Sequence, residues 1–172
     1  MTPLKPDLLE LVKEHTERRL NEKAATEAKI GSDRVDLKLV EPLTIEATKK
    51  QFGWIIGEPP ERGGNDKGAN PLAYFISGAA SCFMMQISMV AMKNGVVLDE
   101  LGVVARAHYT LPIDGEFKEI IYDVRIKTKS GREEILDLIH TAERLCFVHN
   151  TFKGTRVKLT TNVFLNGDQK IL

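Results

Sequence analysis

Apolar and polar residues alternate in three short stretches early in the chain: Val35–Val40 (VDLKLV), Leu43–Ala47 (LTIEA) and Phe52–Ile56 (FGWII). The alternation puts Val35, Leu37 and Leu39 on one face, as in a half-buried strand. Glu41-Pro42 and Lys49-Lys50-Gln51 supply turns between them, so the three stretches predict a meander. Ahead of it, residues 6–28 carry Leu8, Leu9, Leu11 and Val12 and then dense charge. This predicts an amphipathic helix whose far end is solvated. The segment GEPPERGGNDKGAN, Gly57–Asn70, is a loop by composition and serves either as a linker or as part of a site. Asn70-Pro71 then starts a helix, because Asn caps exposed amides and Pro fits the first helical position. That helix is apolar almost throughout and runs to about Lys93, where Asn94-Gly95 stops it.

The second half alternates again. Val96–Leu111 and Glu119–Thr128 predict two longer strands, with Pro112-Ile113-Asp114-Gly115 turning one back toward the other. Ser130-Gly131-Arg132-Glu133 opens another helix, whose buried stripe is Ile135, Leu138, Ile139, Ala142 and Leu145. A short helical turn after Cys146 ends at Gly154, and Thr155–Leu165 reads as a closing strand. The fold class is α+β: a meander, a buried helix, two strands, a helix and a last strand.

Length and charge narrow the function. At 172 residues the chain has the size of one domain. Its 24 basic residues balance 24 acidic ones, which argues against nucleic acid or an anionic membrane as a partner. The charged amino-terminal stretch MTPLKPDLLELVKEHTERR is unlike a targeting peptide, so a reducing cytoplasm is expected. From Pro71 to Met92 only Ser77, Ser81, Gln86 and Ser88 are polar, a length that can span a bilayer. A helix apolar all round is equally the core of a globular protein, and the flanking strands favour that reading.

Two cysteines remain, Cys82 inside the apolar helix and Cys146 in the second helical segment. As isolated thiols they are small hydrophobes filling a core. Gly78, Ala79, Ala80 and Ser81 give the first helix a surface that another backbone can approach closely, and a glycine-rich loop feeds into it. If the thiols meet, a reducing compartment makes them a redox couple rather than a staple. His149 stands three residues past Cys146, but with the two cysteines it makes too few ligands for a structural zinc site, and no metal or cofactor is expected. Met84, Met85, Met89 and Met92 read as adaptable packing. Serine-hydrolase and P-loop motifs do not occur.

The run GGNDKGANPLAYFISGAASCFMMQIS, followed later by AERLCFVHNTFKG, resembles the OsmC/Ohr family of osmotically induced and organic-hydroperoxide resistance proteins. The resemblance covers roughly Val35–Asn166, dividing the chain into an extension, 1–34, and an OsmC-like domain, 35–172. It implies an intertwined homodimer in which curved antiparallel sheets surround long central helices. It also implies a thiol peroxidase acting on organic hydroperoxides, with Cys82 attacking, Cys146 resolving and an external dithiol reducing the pair. Cys82 lies about three turns inside its helix, too deep for the helix dipole to activate it, so a cation is needed. Arg62 matches the arginine of the osmotically induced branch, and Arg34 is a weaker candidate. Two features depart from the family. Leu72 and Ala73 stand where relatives carry a glutamate, leaving Glu58, Glu61 or Asp66 as substitutes, and Phe147 replaces the proline after the resolving cysteine. The rival reading is a non-catalytic dimer of the same fold that binds an apolar ligand.

Overall fold

The long apolar helix forms where the sequence places it. In the computed structural model, which describes residues 6–22, 30–111, 114–167 and 169–172, it spans Pro71–Asn94. Asn70 Oδ1 accepts the Ala73 N–H at 2.9 Å, capping the first turn. Gly95, at φ +73°, ends the helix and lets the Val96 N–H return to the Ala91 carbonyl at 2.9 Å. That return shortens the next strand. Val96–Asp99 precede the strand, which starts at Glu100, with Asp99 N–H donating to the Lys127 carbonyl at 2.8 Å. The expected turn at Pro112-Ile113 and the end of the 6–28 helix lie outside the described residues.

The chain divides into two compact units, the described parts of Met1–Ala25 with Ala79–Leu172, and of Thr26–Gly78. In the second unit the predicted meander is β1 (Asp36–Glu41), β2 (Thr44–Lys49) and β3 (Phe52–Ile56), all antiparallel in the order β1-β2-β3. Leu37 and Leu39 of β1 are exposed. The Gly57–Asn70 loop is built rather than slack. Its 3₁₀ turn, Pro60–Arg62, is followed by Gly64 N–H donating to the Pro59 carbonyl at 3.1 Å and Asp66 N–H to Glu58 O at 3.3 Å. Asn65 Nδ2 donates to Glu41 Oε2 and to Thr44 Oγ1, each at 3.0 Å, pinning the loop to the β1–β2 turn.

In the first unit α1 (Pro6–Glu22) and the Ala79–Asn94 part of α2 (Pro71–Asn94) accompany a second sheet. Its strands are β4 (Glu100–Tyr109), β5 (Phe117–Lys127), β6 (Lys158–Leu165) and the short β7 (Gln169–Lys170), in that order. β4–β5 and β6–β7 are antiparallel, but β5 and β6 run parallel, so this sheet is mixed. The reason lies in the connection: α3 (Arg132–Leu145) and α4 (Phe147–Phe152) carry the chain back to the starting end before β6 begins. The α3 stripe is as expected, with Ile135, Leu138, Ile139, Ala142 and Leu145 all buried. They share one core with Ala79, Phe83, Ile87 and Val90 of α2 and Ile120, Tyr122 and Val124 of β5. By length and composition α2 could cross a membrane, yet its buried residues belong to that core.

Candidate active site around Cys82 and Cys146

α3 does not continue through the second cysteine. It stops at Leu145, and Cys146, at φ −76° and ψ 119°, is an extended corner between α3 and α4. The corner leaves the last carbonyls of α3 in need of donors. Cys146 N–H serves Ala142 O at 2.9 Å and Glu143 O at 3.3 Å, and Asn150 Nδ2 serves Arg144 O at 2.9 Å. Arg19 of α1 serves Leu145 O at 2.6 Å. A helical reading of TAERLCFVHNTF could not anticipate this break, because its supporting donors come from other parts of the chain.

The corner aims the Cys146 thiol at α2. Its S–H donates to Cys82 Sγ across 3.6 Å, although 64 positions separate the two in sequence. Both thiols are free. Cys82 is half-buried and Cys146 fully buried, so they differ in access. Burial pushes the Cys146 thiol up to about 11; the backbone N–H groups of His149 and Val148 pull the other way, and the Cys82 sulfur adds to the rise. At neutral pH Cys146 therefore waits as a protonated thiol, and of the two residues only Cys82 keeps accessible surface.

Three aromatic rings back the pair. Phe83, next to Cys82, lies 4.3 Å from the His149 ring and 5.9 Å from Tyr122, centroid to centroid. His149 Nε2 lies 3.3 Å from Thr161 Oγ1, while Nδ1 is buried without a hydrogen-bond partner among the described residues. Burial, and then Lys153, lower the imidazole to about 4, keeping it neutral. The Tyr122 hydroxyl is likewise buried without a partner among the described residues. Burial raises its pKa, and the nearby Cys146 and Cys82 sulfurs raise it further. Tyr122 escaped the sequence reading because in EIIYDVRIKT it is one apolar strand residue among several. Among the described residues no group of three or more His, Cys, Asp or Glu side chains is gathered as metal ligands.

Of the three residues expected at the site, the structure thus brings Cys82 and Cys146 together. Arg62 lies in the other unit, half-exposed, with Nη1 3.5 Å from Glu58 Oε2. Glu58 is one of the acids expected to stand in for the missing glutamate. Arg34 is an exposed side chain paired with Asp36 at 2.5 Å.

The family described as OsmC-like protein matches residues 64–162, a stretch that includes both cysteines and most of the first unit. The chain belongs to the OsmC-like family. Among curated relatives, the hydroperoxide reductase of Mycoplasma genitalium is 28% identical over 115 residues, covering 65% of this chain and 80% of that one. The crystal structure of an OsmC-like protein from Mycoplasma pneumoniae superposes with a TM-score of 0.71 at 25% identity, covering 80% of this chain and 99% of that one. An organic hydroperoxide resistance protein from Legionella pneumophila shares the fold, with a TM-score of 0.58 at 22% identity over 78% of this chain and 98% of its own. The α+β architecture, two sheets and a central helix, is therefore that of OsmC-like proteins.

Proposed function

We propose that the protein reduces organic hydroperoxides with the Cys82–Cys146 dithiol. The observation that carries this is the 3.6 Å sulfur separation between a half-buried and a fully buried thiol. The Cys82 thiolate attacks the terminal peroxide oxygen. The O–O bond breaks, the alkoxide leaves with the electron pair and takes up a proton, and Cys82 becomes a sulfenic acid. Cys146 then attacks that sulfur, its proton and the departing hydroxide form water, and a disulfide results. Closing from 3.6 Å to the roughly 2.0 Å of an S–S bond is within reach of side-chain rotation. An external dithiol in a reducing cytoplasm restores the pair. In this reading Arg62 is the cation for the thiolate and the leaving alkoxide, a role that rests on the sequence resemblance. Apolar neighbours such as Phe83 and the exposed Phe147 favour an alkyl or lipid peroxide over hydrogen peroxide.

The second reading, a binder of apolar ligands, draws support from Leu72 and Ala73, which cannot orient a catalytic arginine as a carboxylate does. Mass spectrometry after one equivalent of cumene hydroperoxide separates the two. The enzyme loses two hydrogens within the dead time of manual mixing, and Cys82→Ser abolishes the loss. A dithiol still intact after an hour selects the binder.

A further inference from the structure

α1 reaches the thiol pair through one side chain. Arg19 Nη2 donates to Leu145 O at 2.6 Å, and Nη1 donates to Gln86 Oε1 at 3.0 Å. The guanidinium also lies over the Phe147 ring, 4.7 Å from its centroid. Leu145 and Phe147 are the two neighbours of Cys146, and Gln86 is one helical turn beyond Cys82. A single rigid cation therefore grips both segments that carry a sulfur. The grip is anchored, since Thr16 of α1 is buried, Leu20 packs on the core and Glu17 lies 3.7 Å from Lys93 of α2.

The chemistry suits an arginine. A planar fork holds two acceptors at fixed angles while its face stacks on a ring, which a lysine ammonium cannot do. Positive charge is also favoured at a helix carboxyl end, where Leu145 O is one of the carbonyls that the helix itself cannot satisfy.

We propose that Arg19 is a positioning residue for the resolving step. It holds the α3–α4 corner against α2 so that Cys146 meets Cys82, and α1 thereby becomes a working part of the thiol site. The proposal rests on the function proposed above only for the identity of the oxidant. The positioning itself shows in any disulfide exchange between the two cysteines. Misplacing a reacting group by about 1 Å can slow an intramolecular step by two orders of magnitude.

The test uses the full chain carrying Arg19→Ala, Arg19→Lys or Gln86→Met, with Glu14→Gln, at an exposed position of the same helix, as a control. The first readout is the equilibrium of the reduced and disulfide forms in dithiothreitol redox buffers. The second is the rate of sulfenic acid formation against the rate of disulfide closure, followed with a dimedone trap. Arg19→Ala is expected to lower the effective concentration of Cys146 at least about tenfold and slow closure by a similar factor. Sulfenic acid formation should stay within about twofold of the parent. Arg19→Lys and Gln86→Met should fall between, and Glu14→Gln should match the parent. If Arg19→Ala fails to fold, Gln86→Met carries the test, since it removes one acceptor and keeps the helix. An unchanged exchange equilibrium in the folded variants overturns the positioning role. A parent protein that forms no sulfenic acid, with the equilibrium still shifted in Arg19→Ala, overturns the peroxidase reading alone.

Discussion

His149 and Tyr122 are buried polar groups whose hydrogen-bonding capacity is incompletely used, and each has a measurable signature. His149 titrates near 6.5 when unfolded and near 4 when folded. Between those values the unfolded chain binds the extra proton, so stability is full above pH 6.5 and declines as the pH falls toward 4. The expected loss is about 2 kcal/mol from this residue alone, read from urea unfolding at pH 7 and pH 4.5. His149→Phe should flatten that part of the profile. Asp123 acts lower on the pH scale. Arg106 at 2.5 Å, helped by Asn162, holds its carboxyl below the usual range, so its contribution disappears only under more acidic conditions. For Tyr122, an unpartnered buried hydroxyl is worth removing: Tyr122→Phe should raise the melting temperature of the reduced protein, by about 1 kcal/mol of stability. A lower melting temperature would mean the hydroxyl has a partner that matters.

At the scale of elements, the Gly57–Asn70 loop shows how composition becomes shape. A β-carbon on Gly64 would lie 1.7 Å from the Glu58 carbonyl oxygen, so only glycine lets the loop fold back over Glu58, the partner of Arg62. Gly64→Ala should cost about 1–3 kcal/mol in denaturant unfolding, as overpacking does, and a matching midpoint would show that the loop relaxes freely. The loop and α2 were legible because their signals are local: Asn-Pro at the start, Asn-Gly at the end, glycines between strands. The α3 stripe was legible because a 3.6-residue period is written in one stretch of chain. The Cys146 corner and the parallel β5–β6 pair were not, since each depends on partners far away in sequence. Arg19 was hidden for the same reason, as one charge in a run of charges.

For the whole molecule, the question is what covers the apolar surface that each unit leaves exposed. Met85, one turn from Cys82 on α2, is 65% exposed, and Leu37 and Leu39 of β1 are also exposed. Surfaces of this kind mark association. The homodimer that the family resemblance implies offers a cover for such surface, and sedimentation equilibrium should then return twice the 19.2 kDa chain mass. Met85→Lys should shift it toward the monomer, and a parent that sediments as a monomer at micromolar concentration would reject the dimer. The overall α+β plan was legible from the order of elements. The meeting of the two sulfurs was legible only through the family resemblance, because sequence spacing by itself says nothing about which helix faces converge.

The route the chain takes between β5 and β6 also orders events in time. Cys146 sits inside that crossover, 64 positions from Cys82, so its sulfur reaches its partner only when a long loop has closed, a slow kind of contact to make. During synthesis the chain therefore exposes two solitary thiols first and a competent couple last. An oxidant pulse during refolding should yield mixed adducts at early times and the internal bridge only later.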